Sequence, residues 1–100
     1  MASTQDSPLV LPEIGTEEDV QPLWNVIVMN DPVNLIQYVA FVFAKVFGYD
    51  KAKAMRHTME VHEAGRSILW SGDFEKAEAY VYTLQGWQLT ASLESSKSGE

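Results

Sequence analysis

Cysteine is absent from the 100 residues, so the sequence excludes a disulfide framework and a thiolate metal site. Long apolar runs are also missing: the longest, Tyr38 to Ala44, is far shorter than the roughly 20 residues that a membrane-spanning helix needs. The first residues carry neither the basic patch nor the apolar block of a signal peptide. We therefore expect a soluble, cytoplasmic protein that has no membrane partner.

Basic residues are scarce. Seven Lys and Arg residues stand against fourteen Asp and Glu residues, which gives a formal net charge of −7. Proteins that bind nucleic acids gain much of their affinity from Lys and Arg contacts with phosphates, so this balance argues against a nucleic-acid partner. The length is that of one small domain, because a second hydrophobic core would have too few residues to close.

The acidic residues are distributed unevenly along the chain. Residues 1–23 contain five Asp and Glu residues and three prolines, but no Lys or Arg. Apolar residues show no helical or strand periodicity there, and such a segment buries too little apolar surface to offset its ordering entropy. We predict a flexible acidic extension over residues 1–23, one domain over residues 24–94 and a frayed tail over residues 95–100.

Within residues 24–94, hydrophobic periodicity predicts three strands and three helices in the order β-α-α-β-α-β. This order predicts an α+β fold in which helices cover one face of a small, mostly antiparallel sheet. The predicted elements are a strand at Trp24–Met29, a helix at Leu35–Phe47, a helix from Asp50 to about His62, a strand at Arg66–Trp70, a helix from Asp73 to Gly86 and a strand from Gln88 to Glu94.

Individual residues also predict where the first helix is capped and which side chains of the second strand and third helix share a face. Asn34 is a good N-cap for the first helix, because its side chain can accept a hydrogen bond from a free backbone N–H. Ile68 and Trp70 are two positions apart and should share one face of the second strand. Phe74 begins the apolar stripe of the third helix and should face the core.

Two positions are candidates for a binding site. Asn30 and Asp31 end the first strand and precede Pro32, which places an amide carbonyl and a carboxylate side by side in a corner suited to a cation. The alternative is that Asn-Asp-Pro is simply a good turn. His62 lies on the apolar side of the second helix with Met55, where a histidine serves either as a ligand or as a satisfied boundary residue.

Catalysis is not predicted. The sequence has no cysteine nucleophile, no serine in a strand-to-helix elbow and no glycine-rich phosphate loop. His57 and His62 are separated by about 140° around a helix, so they cannot bind one metal ion as an i, i+4 pair would. A dyad of Asp31 and His62 would lack a nucleophile to activate. We therefore expect neither an enzyme nor a cofactor.

Three segments, taken in order, resemble the ClpS family, whose members are adaptors of the Clp protease that recognise N-degrons. They are the strand Trp24–Met29 with Asn30, Asp31 and Pro32 after it; the aromatic helix segment Tyr38–Phe43; and the segment Met59–Arg66, which contains Val61, His62 and Gly65. The resemblance implies a monomer with three helices on a three-stranded antiparallel sheet. It also implies binding of proteins whose first residue is Leu, Phe, Tyr or Trp, and their delivery to an AAA+ unfoldase, ClpA or ClpC.

The resemblance implies three groups of functional residues. The α-amino group of the substrate would be bound by Asn30, Asp31 and His62. The pocket for its side chain would be lined by Val28, Asn34, Ile36, Val39, Thr58, Val61 and Leu89. The unfoldase would be bound by Glu75, with Arg66 as a weaker match.

Three positions depart from the family pattern. Pro32 stands where many relatives have a second Asp, which removes one negative charge near the amine. Ile36 and Thr58 stand where methionines are frequent, so the ranking among Leu, Phe, Tyr and Trp substrates stays open. The alternative to an N-degron adaptor is a generic protein-interaction domain of similar topology, such as a ribosomal-stalk C-terminal domain. Such domains usually present a lysine-rich helix face, which this sequence lacks.

Overall fold

The computed structural model describes residues 22–96. The predicted acidic extension up to residue 21 and the last four residues of the predicted tail lie outside this range. The elements follow in the predicted order: β1 (Trp24–Met29), α1 (Ile36–Phe47), α2 (Lys51–Ala64), β2 (Arg66–Gly72), α3 (Phe74–Gly86) and β3 (Thr90–Ser95).

The three strands form one antiparallel sheet in the order β2-β1-β3. β1 is the central strand, and its three middle residues are apolar and buried, which suits a strand covered on both faces. Val26 and Val28 join the hydrophobic core, whereas Ile27 lies on the opposite face of the strand. The α+β fold with three helices and a three-stranded antiparallel sheet is confirmed.

The helices form the other side of the core. α2 packs against β2, α3 packs against β1 and β3, and α1 contacts both α2 and α3. The largest side chain that is fully buried, Phe43, comes from α1. Within residues 22–96, no helix combines the length and the apolar character needed to span a bilayer.

An ion pair lies on the sheet face that is turned away from the helices. The Arg66 guanidinium binds both carboxylate oxygens of Glu94, at 3.0 and 3.4 Å. Arg66 lies opposite Met29 and Glu94 lies opposite Asn25, so the pair crosses the central strand above Ile27. This crossing helps to bury Ile27, which is only 1% exposed.

α2 and α3 start at the predicted positions, directly after Asp50 and Asp73. Asp50 accepts a hydrogen bond from the backbone N–H of Lys53, and Asp73 accepts one from the backbone N–H of Lys76. α2 continues two residues past its predicted end and stops at Gly65. There a φ of 92° places the backbone in the left-handed region that glycine adopts without strain.

The predicted cap of α1 is wrong. The N-cap residue is Leu35, which makes no side-chain capping bond, and α1 begins at Ile36. The Asn34 amide instead donates to the backbone carbonyl of Gln88, 54 residues later, at 3.1 Å. The Asn34 side chain therefore forms a long-range hydrogen bond instead of the local capping bond that its position in the sequence suggested.

The prediction that Ile68 and Trp70 share one face of β2 is also wrong. Ile68 is 45% exposed, whereas Leu69 is buried and Trp70 packs against the core. The cause is a break in the β1–β2 register: Val26 pairs with Trp70, and the next residue, Ile27, pairs with Ile68. β2 therefore has one extra residue at this point, and such a bulge reverses the alternation of side chains.

The third correction concerns Phe74, which was predicted to face the core. It is 43% exposed, whereas Ala77, Val81 and Leu84 of α3 are buried. Its ring lies edge-on to Trp24 with 5.1 Å between ring centroids. Phe74 therefore packs at the margin of the core, because it is the first residue of its helix.

Candidate functional site

A pocket lies where β1 ends, between the first turn of α1, the last turns of α2 and the start of β3. It encloses about 350 Å³ when the space at its mouth is included. The structure brings together in this pocket all ten residues predicted to contact a substrate: Val28, Asn30, Asp31, Asn34, Ile36, Val39, Thr58, Val61, His62 and Leu89.

The inner wall of the pocket is apolar. Val28, Val39, Val61 and Leu89 come from four different parts of the fold, and each is at most 8% exposed. Thr58, the polar residue among them, donates its hydroxyl proton to the carbonyl of Ala54 at 2.8 Å. Because that donor is already satisfied, Thr58 adds no unpaired N–H or O–H to the wall, and the wall suits an apolar side chain.

Asp31 is oriented by two hydrogen bonds at the pocket rim. Its Oδ1 accepts from the backbone N–H of Val33 at 3.0 Å, and its Oδ2 accepts from the Thr90 hydroxyl at 3.3 Å. The first bond is the turn interaction that Asn-Asp-Pro was expected to form. Since a carboxylate has about four acceptor positions, Asp31 keeps acceptor capacity for a cation. Turn formation and cation binding are therefore compatible.

Asn30 and His62 are brought to the same rim by a backbone contact. The N–H of Asn30 donates to the carbonyl of Gly65 at 2.9 Å, which ties the end of β1 to the end of α2. Both side chains are exposed, and neither forms a hydrogen bond with another residue in the range 22–96. The amide oxygen of Asn30 and a ring nitrogen of His62 are thus available to accept bonds from a ligand.

Two residues missed by sequence reasoning, Met29 and Thr90, also line the pocket. They face each other across the β1–β3 pair, so the strand register would have identified them. A third residue that matters for the site, Tyr38, was noted only as the first residue of the aromatic helix segment Tyr38–Phe43. Its hydroxyl donates to the carbonyl of Trp87 at 2.6 Å, which helps to position the segment that leads into Leu89. No local sequence pattern signals that contact.

The other histidine, His57, belongs to a separate network between α2 and β2. Its Nδ1 lies 2.8 Å from the hydroxyl of Ser67, and this hydroxyl donates to the Glu60 carboxylate. Because the serine proton points to Glu60, Nδ1 of His57 must donate rather than accept. His57 therefore cannot act as a base toward Ser67, which is itself only 3% exposed. This network is structural.

We expect His57 to make stability depend on pH. Burial lowers the pKa of its imidazole below the ordinary value of 6.5. The unfolded chain therefore binds a proton at His57 more readily than the folded chain does. The contribution of His57 to the free energy of unfolding is consequently lost as the pH falls below about 6.5. Chemical unfolding at pH 7.5 and pH 5.5 should show a smaller pH dependence in His57→Gln. An unchanged dependence would contradict this assignment.

The two residues predicted to contact the unfoldase are not brought together. Arg66 begins β2 and is paired with Glu94, whereas Glu75 lies in the first turn of α3, beyond the other end of β2. At about 3.3 Å per residue, they are separated by roughly 20 Å along the strand. Within residues 22–96, no three His, Asp or Glu side chains are grouped so as to hold a metal ion.

Comparison with known proteins gives the family. The family model of the ATP-dependent Clp protease adaptor protein ClpS matches residues 19–93. The ClpS adapter protein of Streptomyces coelicolor is 46% identical over 71 residues, which cover 71% of this chain and 74% of that protein. The ClpS adapter protein of Rhodococcus jostii is 38% identical over 93 residues, which cover 93% of this chain and 83% of that protein.

A solved structure shares the fold. It is Agrobacterium tumefaciens ClpS2 bound to L-phenylalaninamide, with a TM-score of 0.67 and 21% identity, covering 74% of this chain and 96% of that one. The family model spans three quarters of the residues, and the fold has the expected topology. The chain therefore belongs to the ClpS family of adaptor proteins of the ATP-dependent Clp protease.

Proposed function

We propose that this protein binds polypeptides that begin with Leu, Phe, Tyr or Trp and delivers them to a Clp unfoldase, ClpA or ClpC. It acts in the cytoplasm as a monomer, with no cofactor and no catalytic activity of its own. One observation carries the proposal: a rim with acceptors from Asn30, Asp31 and His62 borders a buried apolar wall.

The rim suits a free α-amino group. Such an amine has a pKa near 8, so at neutral pH it is mostly an ammonium ion with three N–H donors and no acceptor. The Asn30 carbonyl, the Asp31 carboxylate and an unprotonated nitrogen of His62 are three acceptors, and one of them is negatively charged. An acetylated or internal residue lacks the charge and has a single N–H. The rim therefore distinguishes a true N-terminus from other backbone amides.

The wall suits the side chain of the first residue. Transfer of a Leu or Phe side chain from water into an apolar pocket contributes roughly 1.5–3 kcal/mol, whereas alanine offers one methyl group. The ligand of the similar Agrobacterium structure, L-phenylalaninamide, has a free α-amine and a benzyl group, which is the combination that this pocket fits. Amine and side chain would thus be recognised together.

Fluorescence anisotropy with labelled peptides tests the proposal. Three peptides that differ only in their first residue, Phe, Leu or Ala, are titrated with the full chain. We expect saturable binding of the Phe and Leu peptides and at least tenfold weaker binding of the Ala peptide. Equal affinity for all three would contradict N-terminal recognition.

Ile36 should restrict which side chains enter the pocket. It is half-buried in the first turn of α1 and lines the pocket, and a β-branched side chain has few rotamers. We expect peptides beginning with Ile or Val to be excluded, because the β-branched side chain of that residue and the side chain of Ile36 would occupy the same space. Ile36→Ala should raise their affinity about tenfold, or about 1.4 kcal/mol, while Phe peptides change less. Equal shifts for Ile, Val and Phe peptides would show that Ile36 does not control entry.

Residues 1–20 should be needed for delivery rather than for binding. Their deletion leaves β1 intact, as well as the bond from the Ser96 N–H to the Leu23 carbonyl that closes the end of the sheet. We expect the melting temperature and Phe-peptide affinity to stay within error, and degradation of a Phe-initiated substrate by the unfoldase–protease to be lost. A large fall in melting temperature would contradict this prediction.

Glu75 is the proposed contact with the unfoldase. It is exposed in the first turn of α3, away from the pocket, so one molecule can bind the substrate and the unfoldase at once. Arg66 is the weaker candidate, because its guanidinium is engaged by Glu94.

A further inference from the structure

The pocket does not end at its rim. A wider concavity forms its mouth and shares with it Asn30, Asp31 and His62. The mouth is also lined by Gln37. Gln37 lines a third depression as well, which lies between α1 and α2 and measures about 650 Å³ when the open space above it is included. Because Gln37 borders both, the mouth adjoins this depression on the surface of α1. We call the depression between α1 and α2 the helical groove.

The helical groove is almost entirely apolar. Besides Gln37, its lining residues are Ala40, Phe41 and Ala44 of α1 and Lys51, Ala54 and Met55 of α2. Phe41 is 55% exposed, although it belongs to the aromatic segment Tyr38–Phe43 of its helix. The small side chains of the alanines leave space between the two helices, and the flexible side chain of Met55 can adjust to a ligand. The groove therefore suits a medium-sized apolar side chain.

The groove lies at a defined distance from the amine-binding rim. Along α1, Phe41 is five residues past Ile36, or about 7–8 Å at 1.5 Å per residue. Along α2, Met55 is seven residues before His62, or about 10 Å. An extended peptide advances about 3.3 Å per residue. When its first residue fills the pocket, its third and fourth residues therefore lie about 7 and 10 Å away, at the distances of Phe41 and Met55. Its fifth residue lies about 13 Å away, near the distance of Ala44, which is eight residues past Ile36 on α1.

We propose that the helical groove binds an apolar side chain at the third, fourth or fifth position of the substrate. This inference rests on the proposed function, since the pocket must first hold the N-terminal residue. Lys51, at the far end of the groove, favours an acidic residue beyond that position. The adaptor would then read a short sequence, with a bulky first residue and a second apolar residue a few positions later.

Two labelled peptides test this inference on the unmodified full chain. Both begin with Phe; one continues with serines only, and the other has leucines at positions three to five. We expect the leucine peptide to bind about tenfold more tightly. Phe41→Ala and Met55→Ala should each remove most of this advantage without changing the affinity for the serine peptide. The matched control is Phe74→Ala, an aromatic residue of similar exposure outside the groove, which should preserve the advantage.

The outcomes separate this inference from the proposed function. If the serine peptide binds and leucine gives no advantage, the groove inference is wrong and N-terminal recognition stands. If neither peptide binds, the proposed function itself fails. A leucine advantage that emerges only after deletion of residues 1–20 would mean that this chain's own extension occupies the groove. A concentration-dependent dimer that Phe41→Ala abolishes would assign the groove to a second copy; either result overturns the inference.

Discussion

Asp31→Asn should weaken the binding of a Phe-initiated peptide by roughly 10- to 100-fold, because a hydrogen bond to a charged group contributes about 1.5–3 kcal/mol. The asparagine keeps one oxygen, which can still accept from the backbone N–H of Val33, so the turn after β1 should persist. What is lost is the negative charge beside the substrate ammonium. Anisotropy titration gives the affinity, and circular dichroism gives the fold.

The matched control is Asp73→Asn. This aspartate also accepts a backbone N–H, that of Lys76 at 3.2 Å, but it caps α3 away from the pocket. The control should lower stability slightly and leave peptide affinity unchanged. If Asp31→Asn retains full affinity with a native spectrum, Asp31 does not bind the amine.

Replacement by alanine should lower peptide affinity at one histidine and protein stability at the other. His62 is exposed at the rim and has no partner among residues 22–96, so His62→Ala should lose one ligand contact and little stability. His57 bonds to Ser67 and stacks on the Tyr49 ring, with 5.7 Å between centroids, so His57→Ala should lose stability. We expect at least a tenfold loss of peptide affinity in the first variant and a loss of about 1–2 kcal/mol of unfolding free energy in the second.

Measuring both properties in both variants makes this comparison decisive. Denaturant unfolding gives the stability, and anisotropy gives the affinity for a Phe-initiated peptide. His57→Ala should bind with the affinity of the unmodified chain. Loss of binding in His57→Ala together with full binding in His62→Ala would reverse the assignment of the two histidines.

Most of the fold could be predicted because its determinants are local. Apolar alternation in β1, helical spacing in α1, and Asp50 and Asp73 at the starts of α2 and α3 all act within a few residues of the chain. The residues of the apolar wall came from the family resemblance, whereas Asn30 and His62 were already candidates from their residue types, although they are 32 positions apart in sequence. The structure places them on one rim because the Asn30 N–H bonds to Gly65, three residues after His62.

What sequence reasoning missed depends on long-range contacts. The bulge opposite Val26 depends on strand register, so Ile68 was assigned to the wrong face. Asn34 has the chemistry of a helix cap, but the carbonyl of Gln88 comes within its reach only in the folded chain. Tyr38 and the helical groove were not recognised for the same reason: each is formed by segments that meet only in the folded chain.

Calorimetric titration with one peptide in two forms tests the central claim, that this site recognises a free N-terminal amine together with a bulky apolar side chain. The peptide begins with Phe, and its α-amine is either free or acetylated. Acetylation removes the charge and two of the three donors while leaving the benzyl group in place. We predict saturable one-to-one binding of the free peptide and at least a hundredfold weaker binding of the acetylated one. Equal affinity for the two forms would contradict the account, because the rim of Asn30, Asp31 and His62 would then have no role in recognition.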